Sequence, residues 1–191
     1  MDFLIDIDKA ITVAVNGWNS DFIVDGFMLY LSKVWVWVPL YLIIIIALFR
    51  RLGWKKALIA VAILAAAFAF TDKFSYFLKE NICRLRPCED PTLSGVIHCI
   101  EKRGSLYGFP SGHACNTFCF ALISSHLFKK KGVTAFLFLW AAIVSYSRIY
   151  VGKHFFGDIL AGALLGLAIG ALAIVLYQVL TKRLTRPKCS A

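Results

Sequence analysis

KHFFGDILAGALLGLAIGALAIVLYQVL, residues 153–180, is the stretch whose reading decides the fold. After Asp158 no charged residue occurs until Lys182, and the positions between are mostly Leu, Ala, Ile, Val and Gly. A helix needs about 20 apolar residues to cross the hydrocarbon core of a bilayer, and this run supplies them. Immediately upstream, Lys131 and Arg148 bracket a second uncharged run. The chain of 191 residues keeps the same bias, with 60% hydrophobic residues, 17% charged residues and a mean hydropathy of +0.74. A soluble domain is roughly half apolar and about a quarter charged. The apolar excess lies in long runs, so the fold is all-α: a polytopic membrane helix bundle forming a single domain, residues 1–191.

Five spans are expected, at about Val34–Phe49, Lys56–Phe77, the Gly112 region to Phe128, Val133–Tyr150 and Phe156–Leu180. The third is short. Asp72 and Lys73 fall inside the second, which places them at an end of the slab or facing protein. Residues 1–32 precede the spans. Their Phe3, Leu4, Ile7, Ile11, Ala14 and Val15 are spaced as on an amphipathic helix, packed on the bundle, lying in the membrane interface, or both. Asp2, Asp6, Asp8, Asp21 and Asp25 argue against a cleavable signal peptide, which wants a basic start.

Three basic clusters separate or follow spans: RRLGWKK (50–56), KKKG (129–132) and TKRLTRPK (181–188). Alternation puts them on one side, and the positive-inside rule makes that side cytoplasmic. The C-terminus is then inside. The net charge of +10 is mainly this topology signal. No solvated basic domain remains that could hold a nucleic acid.

Two segments fall outside, 79–112 and 147–157, and both carry cations against the rule. The first holds Lys79, Arg84, Arg86, Lys102 and Arg103, with His113 just beyond; the second holds Arg148, Lys153, His154 and Asp158. Lys79 and Arg86 are two helical turns apart, so one helix face could carry both, with Pro87 ending that helix. In GFPSGH (108–113), Ser111 reads as a helix N-cap, and the N–H groups of Ser111, Gly112 and His113 would point at an anion. Gly112 lets backbone approach that anion closely. His154 and Asp158 are four apart; if helical, they share a face, and the carboxylate would fix the imidazole tautomer. Arg148 supplies a planar fork for phosphate oxygens. Each feature has a plain structural alternative: snorkelling cations, a simple loop–helix junction, a structural His–Asp pair.

Taken together, the three stretches resemble the signature of the type 2 phosphatidic acid phosphatase (PAP2) superfamily, K-x6-RP, PSGH and SR-x5-H-x3-D. Here these are Lys79 to Arg86-Pro87, Pro110 to His113, and Ser147-Arg148 to His154 and Asp158, with matching order and spacing. The motifs span 79–158, under half of the chain. The resemblance implies a membrane lipid phosphatase working through a phosphohistidine. His154 would be the nucleophile, Asp158 its orienting acid, and His113 the general acid and then base. Lys79, Arg86, Ser111, Gly112 and Arg148 would hold the phosphate. It implies no metal or other cofactor, and Lys153, outside the signature, is expected to be peripheral.

Other readings carry less. The same superfamily includes vanadium haloperoxidases, which are large and soluble, unlike this chain. A non-catalytic lipid transporter or scaffold could dispense with one of the two histidines. Cys83, Cys88, His98 and Cys99 do not match a zinc spacing. A Cys88–Cys99 bridge is one possible pairing of the three outer cysteines, whereas Cys115 and Cys119 read as small core residues. The expected partners are the bilayer and a membrane lipid phosphate; the oligomeric state stays open. Among headgroups, lipid A is favoured slightly over undecaprenyl diphosphate, because similar compact chains occur among its phosphatases. Phosphatidylglycerol phosphate and phosphatidate also remain.

Overall fold

The computed structural model describes residues 2–17, 21–101 and 104–185, with side chains from residue 3 to residue 182. Lys102, Arg103 and the end of the last basic cluster lie outside the described residues. Among the described residues seven α-helices follow one another: α1 Asp2–Asn16, α2 Phe22–Leu31, α3 Val38–Leu52, α4 Trp54–Ile82, α5 Gly112–Phe128, α6 Lys131–Tyr150 and α7 Phe156–Thr185. Among the described residues there are no strands, only an isolated bridge between Leu85 and Tyr107.

Among the described residues four helical stretches are long and apolar enough to cross a membrane: Val34–Leu52, Trp54–Ile82, Lys131–Tyr150 and Phe156–Lys182. The third expected span is α5, at 17 residues. It is central, packing on α4, α6 and α7, and buries Cys115, Cys119, Ile123 and Leu127 among them. A helix surrounded in this way needs no wide lipid-facing stripe. Two helices run past their expected ends. α4 continues from Phe77 to Ile82, and α7 reaches Thr185. The apolar run gives out before the helix does, since helical hydrogen bonds continue into polar surroundings.

Glycine sets the closest packing. Gly162, Gly166 and Gly170 recur every four residues on α7 and lie against Ser111, Cys115 and Cys119, which recur every four residues from the start of α5. A Cβ on Gly166 would overlap the backbone of Cys115. Small residues at this spacing let two membrane helices touch backbone to backbone.

The N-terminal segment is two helices rather than one, and both pack on α6. α1 turns Thr12 and Asn16 inward and leaves Phe3, Leu4, Ile5 and Ile7 exposed. Exposed apolar side chains at its first two turns suit a helix that meets the membrane interface there. Its inward side chains are well used. Asn16 donates to the carbonyls of His98 (2.9 Å) and Tyr150 (2.7 Å) and accepts from His98 N–H (2.7 Å). Lys9 pairs with Asp90 at 3.0 Å. A Cys88–Cys99 disulfide closes the loop between α4 and α5, which takes two donors from the zinc alternative.

Candidate active site

Three elements converge at one end of the spans. The last turn of α4 brings Lys79, the first turn of α5 brings His113, and the α6–α7 connection brings Arg148 and His154. All four, with Arg86 and Gly112, line one cavity of about 330 Å³. Asp72, Asn116 and Thr117, with Trp37, Tyr41 and Phe68, also line this cavity. Asn116 accepts a hydrogen bond from Thr71.

Lys79 and Arg86 do not share a helix face. α4 ends at Ile82, and Cys83 closes it in the left-handed conformation, donating to the Lys79 carbonyl at 3.0 Å. The stop thus precedes Pro87 by several residues. Arg86 lies in extended backbone that doubles back along residues 106–108. Its guanidinium is held by the carbonyls of Tyr107 (3.2 Å) and Lys153 (3.4 Å) and by Ser105 Oγ (2.9 Å). A fork fixed this way is pre-organised for an oxyanion. Arg148 is also buried. Its Nη1 donates to Glu101 Oε2 at 2.9 Å and reaches the Ser32 carbonyl at 3.5 Å, and its Nε has no hydrogen-bond partner among the described residues.

Ser111 is the N-cap of α5, its Oγ accepting from Ala114 N–H at 3.4 Å. Its own N–H donates to the Asp158 carbonyl at 2.9 Å, and the residue is fully buried. Ser111 therefore ties α5 to α7 and leaves the cavity-facing start of α5 to Gly112 and His113. A Cβ on Gly112 would stand 3.8 Å from Lys79 Nζ, an ordinary contact on the cavity side.

His154 is not helical. It lies in the connection, two residues before α7, with its N–H on the Arg148 carbonyl at 3.3 Å. Its pairing with Asp158 nonetheless forms, because α7 begins between them. His154 Nδ1 is 3.5 Å from Asp158 Oδ2, longer than a good hydrogen bond, and among the described residues no well-formed bond reaches that buried nitrogen. Asp158 Oδ2 also accepts from Phe155 N–H at 3.0 Å. Burial, then the charges of Arg148, Arg86 and Lys79, hold the imidazole well below the usual histidine range. His154 is thus neutral near pH 7, with Nδ1 toward Asp158 and Nε2 available to the cavity. Gly108 presses on this pair; a Cβ there would come within 2.9 Å of Asp158 Oδ2.

Lys153 is buried at 2% exposure, not peripheral, and burial followed by Arg86 pushes its ammonium down. The sequence pattern also gave no role to Arg84 or Asp8. Arg84 Nη1 donates to Asp158 Oδ1 at 2.7 Å, and Nη2 to Asp8 Oδ2 at 2.5 Å. The one sequence cue was another cation on the outer side.

A model of the PAP2 superfamily matches residues 56–182, which carry all three motif stretches. The chain belongs to the PAP2 superfamily. It is accordingly a multi-pass membrane protein and a phosphate-ester hydrolase. Across 96% of its length it is 38% identical to the lipid A 4'-phosphatase of Bacteroides thetaiotaomicron, covering 83% of that protein. Across its whole length it is 31% identical to the lipid A 4'-phosphatase of Porphyromonas gingivalis, covering 81% of it. The crystal structure of Aquifex aeolicus LpxE superposes with a TM-score of 0.68 at 28% identity, covering 87% of this chain and 93% of that one.

Proposed function

We propose that this PAP2 protein is a lipid A phosphatase, acting on a phosphate monoester by way of a phosphohistidine at His154. One observation carries the chemistry: Lys79, Arg86, Arg148, His113 and His154 face a single cavity, with Asp158 behind His154. The first step is attack of neutral His154 Nε2 on phosphorus. The P–N bond forms, the P–O ester bond breaks, and His113 gives its proton to the leaving sugar oxygen. In the second step neutral His113 takes a proton from water. The water oxygen attacks phosphorus, the P–N bond breaks, and inorganic phosphate leaves with His154 neutral again. Lys79, Arg86, Arg148 and the N–H groups at the start of α5 hold the non-bridging oxygens through both steps. The neutrality of His154 suits this role, since a protonated imidazole has no lone pair to offer.

Lipid A is favoured by the two full-length relatives and by the rest of the cavity lining. Asp72 and Asn116 lie there beside Trp37, Tyr41 and Phe68. A sugar bearing the phosphate would bring hydroxyl and amide groups to those two side chains. A prenyl chain would set methylenes against a carboxylate, which costs free energy. The proposed setting is the inner membrane, with the basic connections cytoplasmic, the C-terminus inside and the cavity open to the periplasm. Phosphate release by the purified protein from lipid A, undecaprenyl diphosphate, phosphatidylglycerol phosphate and phosphatidate tests this. The highest kcat/KM is expected on lipid A. A higher value on any other lipid overturns the headgroup assignment, and no release from any of the four overturns the phosphatase reading.

A further inference from the structure

Asp158 is completely buried, and a buried carboxylate needs a counter-charge. Lys79, Arg86 and Arg148 are the cavity's cations, and each one used to neutralise Asp158 would be withdrawn from a bound phosphate. The structure supplies a different cation from the opposite side. Arg84 is not among the residues lining the catalytic cavity; it lines a separate surface depression with Ile5, Lys9, Asp90 and Phe155. From there its fork spans two carboxylates, Asp158 Oδ1 at 2.7 Å and Asp8 Oδ2 at 2.5 Å. Its planar group lies 4.3 Å above the Phe155 ring, and its carbonyl accepts from Gly108 N–H at 2.8 Å. Ring, backbone and both carboxylates thus fix the guanidinium.

Asp8 has a second task. Its Oδ1 accepts from Gly157 N–H at 2.7 Å, and Thr12 Oγ1 accepts from Phe156 N–H at 3.1 Å. These are the first N–H groups of α7, which have no intrahelical acceptor. Capping side chains come from adjacent sequence in most helices; here α1 provides them from about 150 residues away. One carboxylate of the interfacial helix therefore holds both the start of α7, two residues from His154, and the guanidinium that grips Asp158.

We infer that Arg84, anchored by Asp8, is a positioning residue for the hydrolysis: it neutralises and orients Asp158 from outside the cavity, so that Asp158 can orient His154 without drawing on the three cations that line the cavity. The inference rests on His154 as the nucleophile. Arg84 touches no substrate, so its loss should act on turnover rather than on binding.

The test compares Arg84→Met, Arg84→Lys, Asp8→Asn, Asp158→Asn and the Arg84→Met/Asp158→Asn double variant of the full chain, with His154→Ala as reference. Steady-state phosphate release from lipid A is measured, with thermal midpoints to check folding. Partners that orient a functional imidazole are worth about 10–100-fold in metal sites, and a similar drop in kcat is expected for Arg84→Met, with KM changed less than about twofold. Arg84→Lys should recover part of the loss, and Asp8→Asn should lose less than Arg84→Met. In the Asp158→Asn background, Arg84→Met should change kcat by less than about twofold, because residues acting through one another are not additive. Wild-type kcat in Arg84→Met, a raised KM at unchanged kcat, or full additivity in the double variant would each overturn the inference. Should Arg84→Met not fold, wild-type kcat in both Arg84→Lys and Asp8→Asn overturns it. Activity surviving in His154→Ala would instead overturn the nucleophile assignment beneath it.

Discussion

At Gly166 the backbone of α7 lies directly against the backbone of α5 at Cys115. Two turns nearer the outer face, the same helices meet through Ser111 N–H and the Asp158 carbonyl, and beyond that contact side chains are buried as ions. The inner region is held by shape, with small residues every four positions. The outer layer is held by directed bonds: Arg86 on two carbonyls and a hydroxyl, Asp8 on a helix start, a disulfide across the loop. Packing by shape tolerates no extra volume but asks little of chemistry. A directed layer keeps cations close together in a low dielectric, which shape alone cannot do. The first region sets where the second stands, since Ser111 and Asp158 continue the faces that Cys115 and Gly166 bring together.

The sharpest separation between the regions is chemical. His154→Ala should abolish phosphate release within detection while leaving the thermal midpoint nearly unchanged. His113→Ala should lower turnover by about 10²–10⁴-fold, the usual worth of a general acid, and an aryl phosphate with a good leaving group should recover part of that loss. No such recovery is expected for His154→Ala. The pH dependence carries a sign. As the proposed nucleophile His154 must be neutral, and its protonation is held below the usual histidine range, so the acid limb from this residue should lie below that range. Arg148→Met removes one of the charges responsible, which makes protonation easier and should move the limb toward higher pH. Wild-type turnover in His154→Ala on lipid A, or a limb that stays put in Arg148→Met, would contradict these roles.

The outer staple comes next. Cys88 and Cys99 are separated by 11 residues, and closing a loop of that size is worth about 3 kcal/mol in the chain-entropy model. The Cys88→Ser/Cys99→Ser protein should unfold at a lower temperature yet keep kcat within about threefold, because neither sulfur lines the cavity. Free thiols at both positions in protein purified without reductant would dispose of the bridge. Gly166→Ala should cost about 1–3 kcal/mol, as overpacking does. Unlike loss of the staple, it should also lower kcat, because it spreads the helix pair that carries Ser111 and Asp158. Gly132→Ala is the control, since nothing lies within 4 Å of a Cβ there. A Gly166→Ala protein with wild-type midpoint and rate would break the link between the two regions.

Charge-free runs made the spans legible, and three spaced motifs pointed to residues that the fold brings to one cavity. What the pattern missed depends on chain reversals. Nothing local says that α4 stops at Cys83, so Lys79 and Arg86 read as one helix face although a loop returns Arg86 to the site. Lys153 read as peripheral because burial by residues 86 and 104 is a tertiary fact. Asp8 and Arg84 pair across 76 residues, a separation at which spacing carries no information. The glycines of α7 were visible as letters, but their partners on α5 could be named only once the helices were placed.

The smallest expected effect on activity belongs to the test of which side the polar layer faces. Ser94 in the outer loop and Lys130 in a basic connection are both exposed, and neither lines the catalytic cavity. Cys83 is the exposed free thiol among the described residues, and Cys83→Ser together with Cys189→Ser clears the background. In that protein, single cysteines replacing Ser94 or Lys130 should leave turnover unchanged within about twofold, as surface substitutions usually do. Their labelling should differ completely. In the proposed orientation the basic connections lie inside, as the rule that retains Lys and Arg in the cytoplasm requires, and the 83–111 loop takes its cations out, where Arg84 and Arg86 are engaged by Asp158 and Ser105. A membrane-impermeant maleimide applied to spheroplasts should therefore modify the cysteine at 94 and spare the one at 130 until the membrane is permeabilised. Modification of 130 with sparing of 94 would turn the molecule over, leaving the cavity open to the cytoplasm and the periplasmic lipid A assignment without a route to its substrate.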